Sequence, residues 1–169
     1  AANSVLLSGN VTQSAAMAAS SLLVQNGNIS LGNTSNNVTT LAAANVSNIT
    51  YVDANGLTVG NIGSINGVNA SGLINISTLA GDLALTQAVN TTSANNTSAI
   101  ILNAGSSTAA GTATGGNITL SGSGSIAAAS GGRITLFTGS IAGSTGITDF
   151  VGSGSGNLDR KSTRLNSSH

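Results

Sequence analysis

The sequence predicts an all-β fold, a right-handed parallel β-helix, and three observations carry that prediction. First, hydrophobic residues make up 40% of the 169 positions while aromatic residues make up 2% and charged residues 5%, against about 25% charged in an ordinary globular domain. Low charge with low hydrophobicity would read as disorder; this much Val, Ile, Leu and Ala can bury a core. Second, a short motif of glycine, any residue, apolar, any, apolar recurs along the chain, separated by Gly, Ser, Thr and Asn. Third, proline is absent, as expected of a backbone whose N–H groups are nearly all needed for strand pairing.

In chain order, the motif appears as GNISL from Gly27, GLINIS from Gly72, GDLALT from Gly81, GNITLS from Gly116 and GRITLF from Gly132. Each reads as a turn followed by a strand. Side chains alternate across a strand, so Ile29/Leu31, Ile74/Ile76, Leu83/Leu85, Ile118/Leu120 and Ile134/Leu136 face a core. Asn28, Asn75, Thr86, Thr119 and Thr135 face away from it. Residues 38–41, 48–52, 57–59 and 100–103 are further strand candidates without the leading glycine. Segments this short do not stand alone.

The last two copies, GGNITL at Gly115 and GGRITL at Gly131, lie 16 residues apart. Recurrent units at roughly 10- to 25-residue intervals predict a coil that winds and stacks, each turn covering its neighbour's apolar face. Roughly seven coils at about 4.8 Å each give a rod on the order of 35 Å long. Asn, Ser and Thr at equivalent turn positions are expected to stack into hydrogen-bonded ladders. The 16-residue offset also sets Arg133 opposite Asp149 on adjacent coils.

The solenoid is read over residues 1–158. Its first residues already follow the pattern, which predicts a segment of a longer chain. Residues 159–169, DRKSTRLNSSH, break the composition. They resemble a translated sequencing adapter and are expected to be disordered and outside the fold. They hold Asp159, Arg160, Lys161, Arg164 and His169. Without them one cation, Arg133, stands against Asp53, Asp82 and Asp149, for a net charge of −2. That body has no basic patch, so no nucleic-acid partner is expected.

Catalysis by a groove on such a fold needs several convergent acids, bases or metal ligands. Residues 1–158 offer three Asp, one Arg and no His, Lys, Cys or Glu. The chain is therefore read as non-enzymatic, with no catalytic, cofactor or metal residues and no cofactor. Asp53 and Asp82 sit beside turn residues and are expected to shape turns. No GGxGxD calcium repeat occurs. Gly152, Gly154 and Gly156 lack the Lys and α/β context of a phosphate loop. The Asn-x-Ser/Thr triplets at Asn10, Asn28, Asn37, Asn75 and Asn117 are expected from composition alone. Phe137 shares the outward parity of Arg133 and Thr135, and a neighbouring loop is expected to cover it. The longest apolar stretches, at 15–19 and 99–102, fall short of the roughly 20 residues of a membrane helix.

The segments GNVTQSAAMAASSLLV, NNVTTLAAANVSNITYVDANGLTVGNI, TATGGNITLSGSGSI and GSTGITDFVGSGSGN resemble the repeats of filamentous-haemagglutinin-family exoproteins, over nearly all of residues 1–158. The resemblance implies a large secreted or surface-exposed adhesin of a Gram-negative bacterium with a parallel β-helix shaft. It implies export through an outer-membrane two-partner secretion transporter. The residues include no counterpart of that family's amino-terminal secretion domain. The function expected is that of a structural shaft segment. Its partners would be neighbouring β-helix coils of the parent chain and a host or cell-surface glycan or protein. The alternative is a glycan- or ice-binding face, for which Thr112 and Thr114 are the one Thr-x-Thr of the later coils.

Overall fold

A computed structural model describes residues 3–109, 112, 114–147 and 156–160. These form a parallel β-helix, with strands and turns but no helix among them. Three ribbons of parallel strands line the coil. The first holds β1 (Ser4–Ser8), the early parts of β3 (Ala18–Leu31) and β4 (Asn37–Asp53), then β5 (Leu57–Val59), β10 (Leu83–Leu85) and β13 (Ile118–Leu120). The second runs from the middle of β4 through β8 (Val68–Ala70) and β11 (Val89–Thr91) to β14 (Ile126–Ala127). The third stacks β2 (Val11–Thr12), the ends of β3 and β4, β9 (Ile74–Thr78), β12 (Ile100–Asn103), β15 (Ile134–Thr138) and β16 (Gly156–Arg160).

Register puts like on like. On the first ribbon Val5, Leu22, Leu41, Val59, Leu85 and Leu120 pair in succession. On the second the column is Val24, Ala43, Val68, Val89 and Ile126. The third carries two columns. Val11, Ile29, Ile49, Ile74, Ile100 and Ile134 form one, and Leu31, Tyr51, Ile76, Leu102 and Leu136 the other. From Leu22 to Leu102 every member of these columns is at most 2% exposed. Each Val, Leu or Ile side chain so buried contributes about 1.5–3 kcal/mol. A single slip in register would turn a whole set outward. Counting Gly156 beyond Ile134, seven rungs stack on the third ribbon.

All five motif copies form strands with the expected faces inward, and the four further candidates lie in β4, β5 and β12. The meaning of the 16-residue offset is different from the expectation. Ile118 pairs with Leu83 on the first ribbon, whereas Ile134 pairs with Ile100 on the third. The two copies are therefore two sides of one coil. Coil length along the isoleucine column grows from 18 residues (Val11 to Ile29) to 34 (Ile100 to Ile134), because loops of different size join ribbons of constant register. The expected facing of Arg133 and Asp149 falls on Asp149, which lies outside the described residues.

Three features were not expected. The long strands β3 and β4 turn a corner without breaking, at Asn26 (φ 63°) and Asn45 (φ 57°), one above the other between the pairs Gln25/Ala44 and Gly27/Val46. Asparagine is among the few side chains that tolerate this left-handed backbone. An antiparallel hairpin of β6 (Asn61–Ile62) and β7 (Ile65–Asn66) also projects from the coil around Gly63 and Ser64 and lies against β4. Ala42 has outward parity between Leu41 and Ala43, yet it is fully buried.

β16 crosses the composition break at residue 159: Asp159 pairs with Phe137, and Arg160 with Thr138. Residues 161–169 lie outside the described residues.

Candidate functional site

Many of the described polar side chains hold the chain's own turns. At the corner entering the third ribbon, an asparagine ladder runs along the coil. Asn10 Oδ1 accepts the Asn28 N–H (2.8 Å), Asn28 Oδ1 accepts from Asn48 Nδ2 (2.8 Å), and Asn48 Oδ1 accepts the Leu73 N–H (2.7 Å). An amide side chain both donates and accepts, so each rung can pass the pattern to the next. Two separate side-chain contacts flank β1: Ser4 and Ser21 meet Oγ to Oγ (2.8 Å) at its start, and Asn26 Nδ2 donates to Ser8 Oγ (3.1 Å) at its end. Asn10 and Asn28, two of the Asn-x-Ser/Thr positions, are thereby engaged in the ladder.

Asp53 is fully buried. Its Oδ2 accepts from the Tyr51 hydroxyl (2.7 Å) and the Val38 N–H (2.8 Å), and its Oδ1 accepts the Asn55 N–H (2.9 Å). Burial, then the hydrogen bond and charge of Asp53, push the Tyr51 phenol well above its ordinary value. Next to this pair, the fully buried Asn36 closes the gap where one coil passes to the next. Its Oδ1 accepts the Met17 N–H (2.9 Å), and its Nδ2 donates to Gln13 Oε1 (3.1 Å) and the Val52 carbonyl (3.0 Å).

Asp82 acts at longer range than its turn neighbours implied. Its Oδ1 accepts the N–H groups of Gly116 (3.0 Å) and Asn117 (2.9 Å), holding the Gly115–Gly116 turn of the following coil. Both glycines have positive φ, 78° and 95°. The glycine pair is therefore a turn clamped by a carboxylate. Thr138 and Ser144 close the next corner, hydroxyl to hydroxyl at 2.6 Å.

The outer surface of the third ribbon is mixed. Its central outward column reads Thr12, Ser30, Thr50, Asn75, Ile101 and Thr135, with threonine at three of the six rungs. Arg133 is exposed, and Phe137, outward as expected, is half-buried beside Asn103. Residues 112 and 114 lie in a connecting stretch outside the strands, and Gly152 and Gly154 lie outside the described residues. Among the described residues no three His, Cys, Asp or Glu side chains converge. Asp53 accepts from three N–H or O–H donors of its own chain and Asp82 Oδ1 from two N–H groups, an arrangement that orders turns. Among the described residues no helix is long and apolar enough to cross a membrane. No family model, curated protein or solved structure matches the chain.

Proposed function

We propose that this chain is a structural shaft segment of a large secreted or surface-exposed bacterial adhesin, and that it is not an enzyme. The observation that supports this reading is the stacking of apolar columns on all three ribbons, with polar groups such as Asn48, Asp53 and Asp82 turned to ladders and clamps within the coil. Such an object extends by adding rungs, and its length follows rung number rather than residue number. The resemblance of residues 1–158 to filamentous-haemagglutinin-family repeats supplies the setting. That setting is the surface of a Gram-negative bacterium, an outer-membrane two-partner secretion transporter for export, and a host or cell-surface glycan or protein as the target of the whole adhesin. In this reading the shaft's own contacts are the coils on either side.

Segment exchange in the parent adhesin tests the proposal. Replacing these coils with an unrelated β-solenoid of equal rung number is expected to preserve adhesion, while deleting them reduces it. If only the native sequence supports adhesion, the outer face binds a ligand, and the glycan-binding alternative replaces the shaft.

A further inference from the structure

Three Asn-Gly pairs occur in the chain, Asn26-Gly27, Asn55-Gly56 and Asn66-Gly67, and asparagine is among the thermolabile residues. The structure places them in three different states. Asn66 Oδ1 accepts from Asn61 Nδ2 (2.5 Å), and the Gly67 N–H is held by the Gly60 carbonyl (2.9 Å). Asn26 lies within β3, with its Nδ2 on Ser8 Oγ. Gly27 there is wedged against the preceding coil, where even an added Cβ would come 2.6 Å from the Gly9 carbonyl carbon. Asn55 and Gly56 are both exposed, in a bend between β4 and β5. Neither the Asn55 side-chain amide nor the Gly56 N–H makes any of the described hydrogen bonds, while the Asn55 N–H is anchored on Asp53 Oδ1.

We infer that Asn55 is a site of spontaneous backbone-directed deamidation in the folded protein. The Gly56 nitrogen loses its proton and attacks Asn55 Cγ. The new N–C bond forms as the C–NH₂ bond breaks, and ammonia leaves. Water then opens the resulting imide at either carbonyl, giving Asp or isoaspartate, without oxidation or reduction. Glycine favours the attack because no side chain shields its nitrogen. The other two sites must first give up hydrogen bonds, and each one slows the reaction by roughly fivefold. The product matters to the coil. Gly56 packs on the Gly81–Asp82 turn, where a Cβ on Gly56 would lie 3.2 Å from the Asp82 carbonyl oxygen, and the next residue, Leu57, bonds that same carbonyl (3.0 Å). Isoaspartate inserts an extra methylene into the main chain at this stacking point and adds a negative charge two residues from Asp53.

The test is incubation of the full chain in mildly alkaline buffer, followed by digestion and mass spectrometry with fragmentation that separates Asp from isoaspartate. A second sample in denaturant reports the three intrinsic rates. The expected result is conversion at Asn55 at least several-fold faster than at Asn26 or Asn66 in the folded sample, with the difference erased in denaturant. Faster conversion at Asn26 or Asn66, or an Asn55 protected relative to the denatured chain as fully as they are, would overturn the inference.

Discussion

The Tyr51 hydroxyl donates a 2.7 Å hydrogen bond to Asp53 Oδ2 inside the coil, where both residues are fully buried. A carboxylate so placed depends on its donors, and Tyr51 is one of three. Tyr51→Phe leaves an acceptor short of a partner and is expected to cost about 1–3 kcal/mol, read as a lower denaturation midpoint with an unchanged slope.

The same pair sets an alkaline limit. Burial and Asp53 raise the phenol's pKa in the folded chain, while the unfolded chain ionises near 10. Below that pH both states keep the proton and the stabilisation is whole. Above it the unfolded state loses the proton first, so stability falls as pH rises toward the folded value. Tyr51 is the single tyrosine, and tryptophan is absent. Phenolate absorbance should therefore appear together with unfolding, and Tyr51→Phe should flatten this part of the pH dependence.

The asparagine ladder makes a third prediction. Asn48→Ala removes the donor to Asn28 Oδ1 and the acceptor for the Leu73 N–H, and is expected to destabilise by about 1–2 kcal/mol. Asn90→Ala, whose one described ladder contact is 3.5 Å to Asn69 Oδ1 on an exposed face, should cost less than half as much in the same denaturant titration.

Ile100 and Ile101 are adjacent and chemically identical, yet Ile100 is fully buried between Ile74 and Ile134 while Ile101 faces outward between Asn75 and Thr135. Ile100→Ala is expected to cost about 2–5 kcal/mol by leaving a cavity. Ile101→Ala should stay below about 1 kcal/mol. Equal losses would mean that the register of β12 is wrong.

Strand existence and facing were legible because Ile29/Leu31, Ile74/Ile76 and their counterparts alternate strictly between turn residues. Coil period was not, because one motif serves two ribbons. Ile118 and Ile134 carry the same local pattern, and only their pairing with Leu83 and Ile100 separates them. The β6–β7 hairpin escaped because its strands are two residues long, too short for alternation to register. The stacking of polar turns was expected in kind, but its members could not be assigned. Asn36 meets Gln13 across 23 residues and Asp82 meets Asn117 across 35, distances at which no local pattern signals a partner.

Coil period is also where the account is most directly tested. The chain has no cysteine, so introduced pairs report without background, and adjacent parallel rungs fall within disulfide reach. Under mild oxidation, Ile101→Cys with Thr135→Cys should cross-link, since these residues pair on neighbouring coils of the third ribbon. Thr119→Cys with Thr135→Cys, matching motif positions 16 residues apart but on different ribbons, should stay reduced. Cross-linking of the second pair and not the first would contradict the stacked three-ribbon coil, and with it the proposed shaft role.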